Sequence, residues 1–182
     1  MSEFLVVKDT DIVEVPVTPD MLKKAEEKAR KMGCLNKHSM MKGARNVDGV
    51  LGELAALAFL PRAIYTDNYD NDLRIGKLTI DVKTKRLNKR PRLEYDCSIY
   101  GYNPNQDCHL YLFAGVNPEH TVVWLSGFLA KHIFYKKAEF FPAGSLRPLG
   151  FGKTLEYKED NYVVQIKHLN KIDILKTIVP AT

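Results

Sequence analysis

An aspartate and a lysine two residues apart, Asp81 and Lys83, stand in Leu78–Thr84, where apolar and polar residues alternate strictly. On a strand, Leu78, Ile80 and Val82 then point one way and Thr79, Asp81 and Lys83 the other. The preceding stretch, Asp72–Ile75, is joined to it by Gly76-Lys77, a two-residue turn with glycine first, as type II′ requires. That turn sets Ile75 opposite Leu78, Arg74 opposite Thr79, Leu73 opposite Ile80 and Asp72 opposite Asp81. Slipping the register by one residue would mix the apolar and polar faces. Two directly opposed carboxylates have Cβ atoms ~5 Å apart. At an effective dielectric of ~20 they repel by roughly 3 kcal/mol, a sizeable part of the ~5–15 kcal/mol that holds a domain together. A shared proton, Arg74 or Lys83 could offset this. A divalent cation would do so best, because Mg²⁺ commonly takes one or two carboxylates plus waters. The alternative is a plain ion pair of Asp81 with Lys83 on a wet strand face.

A third acid sits where acids are expensive. The sequence predicts a helix over Val47–Leu60, apolar nearly all round, buried, and ended by Pro61. Glu53 is its only charge after Asp48, on a face with Val50, Leu57 and Leu60. It must be paired, metal-bound or stretched to the helix edge. An earlier helix is expected over Thr18–Met32, with Thr18 as N-cap, Pro19 at the first position and Gly33 as the stop. Further strands are expected at Leu93–Tyr100, His109–Val116, Thr121–Leu125 and Tyr162–Lys167, with helical pieces at Phe128–Ala138 and His168–Thr177. Helices followed by strands suggest one sheet covered by helices, an α/β or α+β domain.

The whole chain bounds these readings. Its 182 residues are 45% hydrophobic and 27% charged, enough for one domain with a real core. No apolar run approaches the ~20 residues of a membrane span, and no basic start followed by an apolar stretch marks a secretory leader. Three scattered cysteines suit an intracellular, reducing setting. The net charge of +5 is segregated: residues 1–20 carry −4 and the rest +9. Lys83–Arg92 holds six basic residues and no acid. Such a surface suits a polyanion such as nucleic acid, or simply keeps the protein solvated. The five histidines lack helical metal spacing. There is no phosphate-binding Gly-rich loop, and Ser126-Gly127 lacks the glycine a nucleophile elbow needs.

Together, Gly52-Glu53-Leu54-Ala55 on a helix, then Asp72, then Asp81-Val82-Lys83 on a strand, resemble the PD-(D/E)xK nuclease superfamily, and more closely its small single-domain phage members. The resemblance rests on Val47–Arg86. It implies a single domain over residues 1–182, with a restriction-endonuclease-like core of central mixed β-sheet flanked by helices. It also implies Glu53, Asp72, Asp81 and Lys83 as catalytic residues. Mg²⁺ or Mn²⁺ would be held by Glu53, Asp72, Asp81 and the Val82 carbonyl. The residue before Asp72 is Asn71 rather than proline; Asp67 and Asp70 lie nearby, and only the hairpin register selects Asp72.

The implied reaction is phosphodiester hydrolysis by a metal-dependent endonuclease. DNA is the leading substrate, with an RNA-processing nuclease or an inactive nucleic-acid-binding module as alternatives. Lys85, Arg86, Lys89, Arg90 and Arg92 would track phosphates beside the cut, and Lys131, Lys136 and Lys137 with Tyr135 offer a second patch. A homodimer would suit the cutting of two strands; no membrane partner is expected.

Overall fold

The structure is a computed structural model and describes residues 6–35, 44–66, 68, 70–101, 105–150 and 153–178. Its centre is a six-stranded mixed sheet built from β1 (Val13–Pro16), β2 (Ile64–Tyr65), β3 (Leu73–Ile75), β4 (Leu78–Arg86), β6 (Leu110–Val116) and β7 (Val122–Ala130). The spatial order is β1-β7-β6-β4-β3-β2. Only β4 and β6 run parallel, joined by the long crossover that contains β5 (Asp96–Tyr100); the other neighbours are antiparallel. β6 is buried along its whole length, as a central strand covered on both faces must be.

One face is covered by helices α1 (Pro19–Leu35) and α2 (Ala44–Phe59). Thr18 caps α1 as expected: its Oγ1 accepts the Met21 N–H at 3.2 Å. Gly33 does not stop the helix, which continues to Leu35. Val50, Leu51, Ala55 and Ala56 of α2 pack on Ile80, Val82, Leu112 and Leu125. Gly52 lets the backbones close up; a Cβ there would lie 2.0 Å from Thr84 Oγ1.

The opposite face buries Tyr111, Phe113, Trp124 and Leu129. It meets the short helix α3 (Lys131–Lys137) and a second sheet, in which β11 (Asn161–Gln165) lies between β5 and β8 (Glu139–Phe141). A two-stranded hairpin, β9 (Leu146–Gly150) with β10 (Lys153–Glu156), and 3₁₀ turns at Ile166–His168 and Ile172–Thr177 complete the fold. Among the described residues, no helix is long and apolar enough to cross a membrane.

Two expectations need correction here. The helix expected over Phe128–Ala138 is strand as far as Ala130. Ser126-Gly127 forms a bulge: pairing jumps from Phe113↔Gly127 to Ala114↔Leu125. Gly127 adopts φ +138° there, and a Cβ would meet the Asn170 carbonyl at 2.6 Å. The stretch His168–Thr177 is not one helix but a 3₁₀ end and a separate 3₁₀ turn.

Candidate metal and phosphodiester site

The β3–β4 hairpin has the register read from its alternation: Ile75↔Leu78, Arg74↔Thr79 and Leu73↔Ile80. Gly76 takes φ +59°, as the first position of a type II′ turn requires. The ladder ends at Leu73, so the expected direct Asp72–Asp81 opposition does not form. Asp72 instead donates its N–H to the Ile80 carbonyl at 3.0 Å. Its Oδ2 accepts the Val82 N–H at 2.7 Å.

This offset opens the site. The Thr79 carbonyl accepts from His109, and the Leu87 N–H donates to Val116, so odd-numbered residues of β4 turn their peptide groups toward β6. Even-numbered residues turn theirs toward β3. Because β3 is short, no described strand pairs with β4 past Ile80 on that side, and the Val82 carbonyl faces the gap that the Asp72 carboxyl enters.

Asp81 and Lys83 project from the same face of β4, beside Tyr111 and Phe113 of β6. Asp81 is 5% exposed. Its Oδ2 lies 2.7 Å from Lys83 Nζ, yet this buried atom has no partner in hydrogen-bonding geometry. Its Oδ1 accepts from Gln106 Nε2 at 2.6 Å, and Gln106 Oε1 accepts from Lys83 Nζ at 3.2 Å. Gln106 therefore fixes both groups. It lies in the crossover loop, where no local pattern marks it.

Glu53 is 8% exposed on α2. Its Oε2 accepts from Lys28 Nζ of α1 at 2.8 Å and from the Tyr65 hydroxyl, and Lys28 also bonds Tyr65. No local pattern in the sequence assigns Lys28, one of several basic residues of α1, or Tyr65 to Glu53, although a lone glutamate in an apolar helix calls for a partner. Burial holds the Asp72 carboxyl well above the usual range, and the negative charges of Glu53 and Asp81 push it the same way. Burial also raises Asp81, against the pull of Lys83 and Gln106. Three carboxyls thus sense one another across the edge of β4.

Among the described residues, no three His, Cys, Asp or Glu side chains are assembled around one point. The fit to a hard cation rests on less: the buried Asp81 carboxyl with Lys83 beside its Oδ2, the half-buried Asp72 carboxyl and a carbonyl facing the gap that Asp72 enters. That set suits Mg²⁺ or Mn²⁺, which complete their shells with water. Glu53, engaged by Lys28 and Tyr65, adds negative field to this pair.

The neighbouring acids and cations sort by their partners. Asp70 Oδ1 accepts the Asp107 N–H at 3.2 Å, and Asp67 lies outside the described residues. Asn71, where a proline was lacking, accepts from Thr66 Oγ1 at 2.8 Å and pins the loop before Asp72. Arg74 bonds the Gly76 carbonyl at 3.1 Å and does not neutralise Asp72. Two of the expected phosphate contacts are exposed side chains that pair with acids of this chain. Arg86 grips Asp48 at 2.8 and 2.9 Å, with His120 on the same carboxylate at 2.7 Å. Arg90 bonds Glu14 at 3.1 Å and the Ile12 carbonyl at 2.8 Å. Lys85 reaches the Asp96 carbonyl at 3.0 Å, and Lys131 reaches the Gln106 carbonyl beside the site. Lys89, Arg92, Lys136 and Lys137 are exposed. No family model and no curated protein sequence matches this chain.

Proposed function

We propose that this chain is a metal-dependent nuclease with a restriction-endonuclease-like core, hydrolysing phosphodiester bonds with DNA as the leading substrate. The observation that carries the reading is the electrostatic reach of Asp81 to Asp72, which bonds the Val82 amide at the open edge of β4, with Lys83 paired to Asp81 two residues along the same strand. Both carboxyls are held above their usual range by burial, and Asp72 also by the charge beside it, so a cation relieves a cost the fold already bears.

Asp72, Asp81 and the Val82 carbonyl would hold Mg²⁺ or Mn²⁺, which when bound acidifies water and offsets phosphate charge. Lys83 supplies an ammonium to the developing negative charge on the phosphate, and a bound cation frees it from Asp81. Gln106 keeps both side chains aimed at one point. Lys89, Arg92, Lys131 and Lys136 hold flanking phosphates in a salt-sensitive, sequence-blind way.

A second reading has its own support. Lys28 and Lys83 already pair with Glu53 and Asp81, as expected of a nucleic-acid-binding module without turnover. Purified protein incubated with plasmid, linear and branched DNA and with RNA, in Mg²⁺, Mn²⁺ or EDTA, separates the two. The nuclease reading expects metal-dependent cleavage, reduced by about 10²-fold or more in Asp81→Asn and Lys83→Ala. Binding without cleavage, indifferent to both substitutions, selects the module.

A further inference from the structure

Four aromatic rings run in an unbroken line outward from this site. Lys83 Nζ lies 5.9 Å from the centre of the Tyr111 ring. Tyr111 meets Tyr135 edge-on at 6.2 Å, Tyr135 meets Tyr162 edge-on at 4.9 Å, and Tyr162 meets Phe140 at 5.0 Å. Exposure grows along the line. Tyr111 is fully buried, Tyr135 and Tyr162 are half-buried, and Phe140 is 47% exposed on the edge strand β8.

Helix α3, which carries Tyr135, also carries three lysines. Lys131 sits one helical turn before Tyr135 on α3 and bonds the carbonyl of Gln106, the residue that holds Asp81 and Lys83. Lys136 and Lys137, at the far end of α3, are exposed. Glu139, beside Phe140, alternates to the other face of β8, where its charge is felt by Asp96 and Arg147. The ring line thus starts beside Asp81 and Lys83, passes Lys131 on α3, and ends at Phe140, whose strand neighbour Glu139 lies on the other face of β8.

We propose that this α3–β8–β11 surface is a stacking platform for unpaired nucleic acid, so that the substrate of the site carries a single-stranded segment leading to the cut. This rests on the nuclease reading above for its direction toward Asp81. A duplex has its base faces closed by their neighbours and could offer only phosphates to the lysines. An unpaired base can lie on an exposed ring while its phosphate meets an ammonium. Either a DNA or an RNA strand has this chemistry.

The test is fluorescence anisotropy in EDTA at low salt, with labelled dT20, rU20 and a 20-base-pair DNA duplex, on the full chain. The expected result is tighter binding of at least one single strand than of the duplex. Phe140→Ala should weaken single-strand binding by about tenfold, leave the duplex unchanged and melt like the parent. Phe140→Trp should restore binding. Lys136→Glu with Lys137→Glu should weaken both ligands. The contrast of dT20 with rU20 identifies the sugar. Equal binding of strand and duplex, or a silent Phe140→Ala, overturns the platform. Phe140-dependent strand binding with no cleavage under any metal would sink the nuclease reading alone. Metal-dependent duplex cleavage with a silent Phe140→Ala would sink the platform alone.

Discussion

The Asp72 carboxylate caps the backbone of Val82, Oδ2 to N at 2.7 Å, in the gap where β3 stops and β4 continues. The contact does two things. It satisfies an amide at an unpaired strand edge, and it holds one acid within electrostatic reach of two others.

A pH dependence follows from that crowding. Asp72 and Asp81 are both raised in the folded protein, so their contribution to stability is fully present below the ordinary carboxylate range near 4 and is lost as pH rises through the folded values. Asp72→Asn keeps an acceptor for Val82 and removes the charge. In metal-free buffer it should stabilise the protein at pH 7, with little effect at pH 4. Denaturant melts at the two pH values check this; a variant less stable at pH 7 contradicts it. Millimolar Mg²⁺ or Mn²⁺ should raise Tm in the parent and much less in the variant.

The Asp48–Arg86–His120 cluster is expected to act on stability. Asp48 is 4% exposed and accepts from both partners. Arg86→Ala should cost about 3 kcal/mol, because a buried carboxylate loses its bidentate cation. The paired change of Lys89 and Arg92 to alanine should leave Tm unchanged and flatten the salt dependence of DNA binding by roughly two phosphate contacts. Calorimetry and salt titrations separate the two. An Arg86→Ala protein of unaltered Tm and weakened DNA binding would reverse the assignment.

Gly52 and Thr84 are expected to be coupled. Gly52→Ala drives a methyl onto Thr84 Oγ1 and should destabilise by about 1–3 kcal/mol. Adding Thr84→Ala should recover most of that loss, since the oxygen it removes is also a buried hydroxyl without a partner. A double-mutant cycle measures the coupling; additive losses would refute the contact.

The two described thiols should be inert. Burial pushes both Cys97 and Cys108 up to about 12. At pH 8 almost no thiolate is present at either, so alkylation of the native protein should be slower by at least tenfold than after unfolding. Mass spectrometry of the labelled peptides reads this directly, and rapid native labelling of Cys97 or Cys108 would contradict it.

What the sequence revealed of this site was its local part. Strict alternation in Leu78–Thr84 and the Gly76-Lys77 turn determine the hairpin register, because both act within a few residues. The apolar wheel around Glu53 identifies a buried helix for the same reason. The missed features are long-range. Lys28 and Tyr65 reach Glu53, and Gln106 reaches Asp81, through tertiary packing that leaves no periodic trace. The bulge at Ser126-Gly127 hid the continuation of β7, since one extra residue inverts the alternation on which a strand is recognised. Arg86 and Arg90 sit in a basic run that reads as a nucleic-acid surface, yet their acids, Asp48 and Glu14, come from distant segments.

The sheet order carries a kinetic consequence. Among the described residues, β1 lies at the edge of the sheet against β7, with Val13 opposite Leu125, whereas β6 and β7 form a hairpin from adjacent chain. Closing a short loop is fast and closing the β1–β7 span is slow. β1 precedes its partner by more than a hundred residues and therefore waits unpaired until β7 is in place. In pulsed hydrogen exchange during refolding, amides of β6 and β7 should gain protection before those of β1; simultaneous protection would mean that the sheet closes in one step.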